Sequence, residues 1–413
     1  MDYKRLGDHI REVNVRNRDL KVTNLLGLSI EKKFIPSIAN TIGTDMSVYK
    51  IIKRNQFAYV PVTSRNGDKI TIALLDEEEA IISQAYTVFE IVSVETDGNV
   101  ETDGNVGTHG NVGTHGDVET HGRASLQTPI LPEYLMMWFR RPEFDRYARF
   151  HSHGSAREVF DWDELCNVML PIPSIARQRE IVEEYETLSR RIRLNEQMIA
   201  RLEETAQALY HKMFVDGIDK ENLPEGWRRG RFTEIVNICG GGTPSTDEAT
   251  YWQNGEIPFY SPGDKTESYY SLKTEKHITE AGLAHCSSKL YPQNTTFVTA
   301  RGATTGGLSM AGCAMAMNQT CYALLGKDDS MPFYVHQLAI ETMASLKNEA
   351  VGATFEALVT KDFDSTEILI VPIEMAMAYN EKVEIVYRNI LLKQQENEKL
   401  TELQSLLLAR MGK

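Results

Sequence analysis

Residues 177–214 read RQREIVEEYETLSRRIRLNEQMIARLEETAQALYHKMF and decide the fold of this 413-residue chain. The stretch contains no Pro or Gly and is rich in Glu, Gln, Arg, Ala and Leu, which are strong helix formers. Ser174 precedes it and can cap the first turn. The seam positions alternate spacings of four and three residues, and they are Ile181, Tyr185, Leu188, Ile192, Asn195, Ile199, Leu202, Ala206, Leu209 and Met213. The pattern predicts a long helix with a seam of about 50 Å.

A second stretch of similar composition closes the chain, from Tyr379 to Met411. Its seam is less regular, because Lys393 and Glu396 interrupt the apolar positions, which are Val383, Val386, Ile390, Leu400, Leu403 and Leu407. Similar lead-ins precede the two stretches, VMLPIPS at 168–174 and EILIVPIE at 367–374. Each helix alone would expose its apolar stripe, so we expect the two to pack on each other. The alternative is two unrelated coiled-coil elements that bind partners.

The two stretches belong to a longer internal repeat. Gly154–Arg157 and Gly352–Phe355 occupy equivalent places, and ISQAY at 82–86 resembles MNQTC at 317–321. The separation is 198 residues for the first pair and 235 for the second, and the block from Val94 to Arg123 accounts for most of the difference. The chain therefore reads as module, long helix, module, long helix, with that block inserted in the first module.

The inserted block consists of five six-residue repeats of the type VETDGN and VGTHGN. One Val in six residues buries too little apolar surface to offset the ordering entropy of this Gly-rich segment, so we predict a flexible insertion. His109, His115 and His121 recur with the repeat and could chelate a metal, although a by-product of the repetition explains them more simply.

Each module combines strand and helix signals, which predicts an α+β fold: two mixed α/β domains in tandem, each followed by a long helix, with the helices forming an antiparallel coiled coil. The clearest strand signals are FAYVPVTS (57–64), KITIALL (69–75), YTVFEIVSV (86–94), TTFVTA (295–300) and CYALLG (321–326). Short helices are predicted at 131–141 and 332–346.

Charge and composition exclude several classes of protein. The net charge of −14 argues against indiscriminate nucleic-acid binding, but six acids lie in the inserted block, and the run from Arg140 to Arg157 holds five Arg against two acids. The sequence has no apolar run of about 18 residues and no secretory signal, so we expect a cytoplasmic protein without a membrane span. Its five cysteines lack CxxC spacing, so we expect no zinc site.

Catalytic motifs are missing from the sequence. It has no GxxxxGK[ST] loop, no GxGxxG after a strand, no Asn-Pro-Pro-aromatic run, no HExxH and no GxSxG. We therefore predict no catalytic, cofactor-binding or metal-binding residues, and interpret the chain as a recognition and assembly protein rather than a stand-alone methylase or nuclease.

These features together resemble the specificity subunit of type I restriction-modification enzymes. The resemblance rests on GSAREVFDWDEL (154–165), LPIPSIARQREIV (170–182), NEQMIARLEETAQALYHKMF (195–214), LPEGW (223–227), CGGGTPST (239–246), GEIPFYSPGD (255–264), HITEAGL (277–283), SSKLYP (287–292) and NQT (318–320). It implies an N-terminal target-recognition domain at 1–173, a helix at 174–216, a second such domain at 217–373 and a helix at 374–413.

The resemblance also implies a function for the chain. Each domain would read one half of a bipartite site in double-stranded DNA, and the helices would act as a spacer and dock two modification subunits. Those partners would bind S-adenosylmethionine and methylate adenine, and restriction subunits would add ATP- and magnesium-dependent translocation and cleavage. This chain would need no cofactor. The competing hypothesis is a coiled-coil scaffold or adaptor that does not bind DNA.

Residue chemistry selects the candidates for DNA contacts, since Arg, Lys, Ser and Thr bind phosphates and base edges. In the first module they are Lys53, Arg54, Arg65, Lys69, Arg140, Arg141, Arg146, Arg149, Ser152, Ser155 and Arg157. In the second they are Thr243, Ser245, Thr246, Lys265, Lys273, Lys276, Lys289, Arg301, Thr304 and Thr305.

Overall fold

The computed structural model describes residues 3–37, 43–63, 67, 69–92, 129–154, 157–328, 330–349 and 357–412. The inserted block at 94–123, with its three histidines, lies outside these residues, as do Arg65 and Ser155. The chain forms two compact units, which we call the first unit (Met1–Ser189 with Glu402–Lys413) and the second unit (Arg190–Thr401).

The described residues of the first unit form a four-stranded sheet, a three-stranded sheet, two strand pairs and three short α-helices, followed by the start of a long helix. Its elements in chain order are β1 (Tyr3–Arg5), β2 (Ile10–Val13), β3 (Val15–Arg16), β4 (Leu26–Leu28), β5 (Phe34–Pro36), β6 (Lys50–Lys53), β7 (Phe57–Tyr59), β8 (Ile72–Leu74), β9 (Glu79–Ile82), β10 (Thr87–Ile91), α1 (Pro132–Phe139), α2 (Pro142–Phe150), α3 (Trp162–Cys166) and β11 (Met169–Pro171). The main sheet has the strand order β2-β10-β7-β8, and a second sheet has the order β3-β6-β9. The pairs β1-β11 and β4-β5 complete the unit.

Aromatic side chains from the main sheet and α1 fill the core of the first unit. The rings of Phe57 and Phe89 stack at 5.0 Å on neighbouring strands, and Phe139 meets Phe57 edge-on at 5.8 Å. All three are fully buried. Rings of this size, packed in stacked and T-shaped pairs, fix the helix against one face of the sheet.

The second unit has a larger sheet. Its elements are β12 (Arg228–Arg231), β13 (Val236–Gly240), β14 (Ile257–Tyr260), β15 (Tyr270–Ser271), β16 (Lys276–Ile278), α5 (Glu280–Ala284), β17 (Thr296–Thr299), β18 (Leu308–Ala311), β19 (Ala316–Met317), β20 (Cys321–Gly326), α6 (Pro332–Glu349), α7 (Thr360–Ser365) and β21 (Glu367–Ile370). The main sheet has the order β13-β20-β17-β18-β15, beside a β16-β14-β19 sheet and the pair β12-β21.

The order of strands repeats between the units, as the predicted duplication requires. In the first unit β10 lies between β2 and β7, and in the second β20 lies between β13 and β17. Each unit also pairs its first strand with its last, β1 with β11 and β12 with β21, and a long helix follows directly. These helices are α4 (Ile175–Phe214) and α8 (Ile373–Arg410). The predicted α+β fold with paired long helices is confirmed.

The start of α4 follows from its sequence. The hydroxyl of Ser174 accepts a hydrogen bond from the backbone N–H of Arg177 at 3.4 Å, so it caps the helix as its residue type predicts. Every position of the predicted α4 seam is buried or half-buried. With 40 residues and a rise of 1.5 Å per residue, α4 is about 60 Å long.

Within each unit the two long helices run antiparallel. In the second unit the Asn195 amide donates to the Asn397 side chain at 2.8 Å, while Tyr379 donates to the backbone oxygen of Ala206 at 2.9 Å. In the first unit Gln404 donates to Ser189 at 2.8 Å. Later positions on α4 thus meet earlier positions on α8.

The seam of α8 differs from the prediction in its last third. Leu403 was expected to face α4, but it is 49 % exposed, and Gln404 and Leu408 face inward instead. The physical reason is the polar middle of the helix, where Asn397 pairs with a polar partner and shifts the inward positions by one residue. The helix predicted at 131–141 is also shorter, because Pro142 starts a separate helix, α2.

Candidate nucleic-acid interface

Three loops of the second unit emerge from one edge of its main sheet. They are residues 241–247 after β13, 318–320 before β20 and 300–307 after β17. Because β20 runs antiparallel to both neighbours, its beginning lies beside their ends. The backbone N–H of Gly241 donates to Cys321 at 3.3 Å, and that of Ala300 donates to Thr320 at 2.8 Å. We call this edge, with its three loops, the second loop edge.

Two glycines allow the loops to approach each other closely. A Cβ atom on Gly241 would overlap the backbone oxygen of Asn318, and one on Gly242 would overlap the hydroxyl of Ser287. The Gly-rich run before Thr243 is therefore explained by backbone packing between loops rather than by a phosphate cradle.

Hydroxyl groups lie exposed on this packed base. Thr243, Ser245 and Thr246 are all exposed, and Thr243 donates to the side-chain oxygen of Gln319, which is also exposed. The indole N–H of Trp252 donates to the backbone oxygen of Ser245 at 2.9 Å, which holds the loop from behind. The loop therefore presents short polar side chains and one amide in a fixed arrangement.

Arg301 begins the loop that follows β17. Its side chain is exposed, and its backbone bridges to Ala357. The loop turns through Gly302 (φ +109°) and Gly306 (φ +77°), conformations that favour glycine. The hydroxyl of Thr305 donates back to Gly302 at 2.6 Å. This hydrogen bond closes the turn, and Thr304 lies exposed within it.

Two lysines join the same surface, a third lies over the tryptophan that supports it, and a fourth lies apart. The aliphatic chain of Lys265 lies within van der Waals reach of Gly307, and Lys289 is exposed two residues after Ser287. Lys276 lies over the ring of Trp252 at 6.0 Å. Lys273 instead forms an ion pair with Glu398 on α8 at 3.5 Å, away from the loops.

Buried polar contacts hold the supporting segments. Glu203 on α4 accepts hydrogen bonds from the Ser268 hydroxyl at 2.6 Å and the Tyr269 backbone N–H at 3.0 Å, and burial raises the pKa of its carboxyl group. Burial also raises the pKa of the Tyr291 phenol to about 12, so it remains a neutral donor to Gly240 at 3.1 Å. The segment that carries Lys265 is thereby anchored to the long helix.

The first unit has a corresponding edge. The segment after β7 packs against residues 148–154 and 157–160, where Thr63 donates to Ser152 at 3.0 Å and Arg149 donates to the backbone oxygen of Gly67 at 2.8 Å. Arg157 is exposed in the same region, after Gly154 with φ +130°. We call this surface the first loop edge.

Other candidates of the first unit differ in exposure. Lys69, which follows the same segment, pairs with Glu31 at 3.6 Å and is 51 % exposed. Arg146 is 72 % exposed on α2. Arg141 is buried and stacks on Trp138 at 4.1 Å, and Arg140 lies over Tyr185 at 5.6 Å, so these two arginines take part in packing.

Lys53 and Arg54 lie at the opposite end of β7 from the first loop edge. Both are exposed, and the Arg54 guanidinium donates to the backbone oxygen of Asp76 at 3.0 Å. The structure therefore separates this pair from Lys69, although all three carry the same charge. Sequence position alone could not make that distinction.

Two exposed residues of these edges were not among the candidates predicted from the sequence. Gln319 lies next to Thr243 on the second loop edge. Phe150, at the end of α2, is 82 % exposed, which is unusual for an aromatic side chain. The seven-residue spacing from Glu143 to Phe150 could have indicated that Phe150 lies on the outer face of α2.

Comparison with known proteins follows the same division of the chain. A family model described as the type I restriction modification DNA specificity domain matches residues 224–402, which contain the second loop edge. The HindI specificity subunit of Haemophilus influenzae is 23 % identical over 354 residues, covering 68 % of this chain and 77 % of that protein. Over these residues the chain is similar to the type I restriction enzyme specificity subunits.

Other specificity subunits match more locally or by fold alone. The MjaIX subunit of Methanocaldococcus jannaschii is 31 % identical over 154 residues, and the match spans 36 % of this chain and 35 % of that protein, about a third of its length. The crystal structure of an S subunit from M. genitalium has a TM-score of 0.57 at 10 % identity and covers 100 % of this chain and 96 % of that one. That likeness shows the shared fold.

Two features of the described part of the chain complete the picture of this surface and its helices. No group of three or more His, Cys, Asp or Glu residues there is arranged to hold a metal ion. Within the same residues, none of the helices is both long and apolar enough to cross a membrane.

Proposed function

We propose that this chain is the DNA-recognition subunit of a type I restriction-modification enzyme, and that each loop edge reads one half of a bipartite site. The observation that carries the proposal is the second loop edge, where exposed hydroxyls, the Gln319 amide and the Arg301 guanidinium come together on rigidly packed loops. These groups are the ones that pair with base edges and phosphates.

The duplication supports a split site. Each unit carries a loop edge at the equivalent end of its main sheet, so one chain offers two reading surfaces. We propose that α4 and α8 form the spacer between them. Half-sites read from one face of DNA lie roughly 34–36 Å apart or at multiples of this distance. A helix of about 60 Å is long enough to serve such a site.

Catalysis is proposed to take place in partner subunits. Two modification subunits would bind S-adenosylmethionine and methylate adenine, while restriction subunits would use ATP and magnesium. In this account the chain itself holds no cofactor and works in the cytoplasm, where its DNA is. The sequence lacks the common nucleotide-binding and hydrolase motifs, which supports the proposal that catalysis takes place in the partner subunits.

An apolar groove in the first unit supports the docking of a modification subunit. It measures about 560 Å³ and is lined by α4 and α8. Leu403 and Leu406 are 49 % and 60 % exposed there, and Glu180 and Glu183 lie on its rim. Exposed apolar surface with a charged rim is typical of a protein interface. We propose that a modification subunit covers it.

The proposal is tested by binding to a duplex that carries the chain's own site and to a scrambled duplex, over a range of salt concentrations. Phosphate contacts make affinity fall steeply with salt, whereas a scaffold without DNA binding would show no such dependence. Replacing Arg301 with Ala should weaken binding to the cognate duplex by roughly 1–3 kcal/mol if the guanidinium reads a base.

The matched control is Lys220→Ala, which removes an exposed positive charge outside the loop edge. It should leave the preference for the cognate duplex intact. An equal loss for Arg301→Ala on both duplexes would make Arg301 a phosphate contact. If the wild-type chain and its assembly bind both duplexes equally well, the proposed function is wrong.

A further inference from the structure

We infer that α2 is a recognition helix of the first unit, and that Phe150 contacts the 5-methyl group of a thymine in the major groove. The inference rests on the proposed function and deepens it by naming a base and a contact. The major groove admits an α-helix, and thymine is the base that presents a methyl group there.

The packing of α2 determines which of its faces is free. Phe144 and Ala148 are buried in the core of the first unit, whereas Arg146 and Phe150 are exposed. Arg146 and Phe150 are four residues apart, so they share one face of the helix. A cation and an aromatic ring thus point away from the core on the same side of α2.

The end of α2 belongs to the first loop edge. Arg149 donates to the backbone oxygen of Gly67, and it pairs at 3.5 Å with Glu158, the residue after Arg157. Phe150 therefore lies beside the segments that carry the exposed cations of this edge. It contacts the neighbouring ring of His151 edge-on, with the centroids 5.2 Å apart.

The cationic groups near Phe150 favour DNA as the occupant. Near the end of α2, the carboxylate of Glu164 contacts His151 at 3.0 Å and His153 at 3.5 Å. Three arginines, Arg146, Arg149 and Arg157, lie on α2 or near its end, where Glu143 pairs with Arg146 and Glu158 with Arg149. Both ion pairs are long, at 3.6 and 3.5 Å, and at least partly exposed, so they are weak and can be exchanged for contacts with phosphates. An apolar ring set among arginines that can bind phosphates fits a base edge better than it fits an apolar protein surface.

The test uses the full chain, in its methylation assembly, with duplexes that carry its own site. Each thymine of the half-site read by the first unit is replaced in turn by deoxyuridine, which removes only the methyl group. At one position the wild type should lose about fourfold in affinity, the equivalent of one buried methylene-sized group. Phe150→Ala should bind the thymine and deoxyuridine duplexes equally.

Two variants serve as controls. Phe150→Leu keeps an apolar side chain and should retain most of the discrimination. Ile30→Ala removes another exposed apolar side chain of the first unit, 48 % exposed, and should behave as wild type. Because Phe150 is 82 % exposed, its truncation removes few internal contacts, and circular dichroism should show an unchanged fold.

The other outcomes overturn the inference. Two of them concern the wild type, which could tolerate deoxyuridine at every position or recognise a half-site without thymine. The other two concern Phe150→Ala, which could lose affinity equally for all duplexes or fail only in assembly with modification subunits. The last result would make Phe150 a protein contact. A wild type with no preference for any site refutes the proposed function itself, which is a different result.

Discussion

Acidification from pH 7 to pH 5 should destabilise the second unit through one buried histidine, His336 on α6. The ring is 1 % exposed, and its Nδ1 lies 3.1 Å from the Thr296 hydroxyl, while its Nε2 has no hydrogen-bonding partner. The rings of Tyr269 and Tyr387 pack around it, with centroids 4.8 and 6.2 Å away. Burial lowers the pKa of His336 from 6.5 to about 3, because this site cannot solvate an imidazolium ion.

The sign and size of the effect follow from proton linkage. The pKa of His336 is lower in the folded state than in the unfolded chain, so the unfolded chain binds the extra proton between the two values. The stabilisation is complete above about pH 6.5 and is lost progressively as the pH falls towards about 3. Each pKa unit corresponds to about 1.4 kcal/mol, so the free energy of unfolding should fall by about 2 kcal/mol between pH 7 and pH 5.

The measurement compares wild type with His336→Phe, which keeps an aromatic ring and removes the titrating group. Samples are equilibrated in urea at pH 5 to 8 and given a short deuterium pulse at one fixed pH, and peptides from α6 and β17 are read by mass spectrometry. The difference in free energy of unfolding between the two proteins should change by about 2 kcal/mol over this range. His277→Gln replaces an exposed histidine of the same unit and is the control. Parallel pH curves for wild type and His336→Phe would refute the reasoning.

Three further predictions concern the helix pair, the loop edge and the groove. Replacing both Asn195 and Asn397 by Leu should raise the free energy of unfolding in urea by on the order of 1 kcal/mol, because a partly buried polar pair is exchanged for apolar contact. The double variant should also broaden the range of spacer lengths among methylated sites. A single unchanged spacer would contradict a role of this pair in setting the helix register. Gly242→Ala should weaken specific binding by about 1–3 kcal/mol in titrations, because the new Cβ atom would overlap Ser287. Gly240→Ala is the control, since its new Cβ atom meets free space, and it should bind normally. Equal affinities of the two variants would contradict the role of loop packing. Leu406→Glu should weaken co-purification with modification subunits and leave DNA preference intact, and an unaffected assembly would remove the groove as a docking site.

Much of the architecture could be predicted because it depends on local pattern. The heptad spacing, the absence of Pro and Gly and the cap at Ser174 predict α4 closely, and the structure begins it at Ile175. The end of α8 was predicted less well, since Leu403 lies outside the seam. There the inward positions are Asn397 and Gln404, whose partners on α4 are far away in sequence.

The candidate interface was predictable in its residue types but not in its grouping. The sequence suggested Arg301 and Thr243 separately, and the antiparallel strands bring their loops to one edge of the sheet. The burial of Arg141 against Trp138 could not be predicted in this way. The sequence is the same whether an arginine near an aromatic residue packs into the core or faces solvent. Tertiary packing decided which arginines stay exposed.

The charge of the chain becomes interpretable once it is divided among the parts of the molecule. Glu180 and Glu183 line the groove proposed for a protein partner, whereas Arg157 and Arg301 are exposed on the two loop edges. A net charge of −14 is therefore compatible with local DNA binding. We expect modest affinity for the chain alone and stronger binding in the assembly.

A genome-wide map of methylated adenines in cells with and without this chain, with modification subunits present, tests most directly whether the chain selects the methylated sites. We expect a single bipartite motif, with two short half-sites separated by a spacer of fixed length and unspecified sequence, that is methylated only when the chain is present. Exchanging residues 217–373 for the equivalent region of another specificity subunit should change one half-site and leave the other unchanged. Methylation that is identical without the chain, or a motif that is not split, would contradict the account.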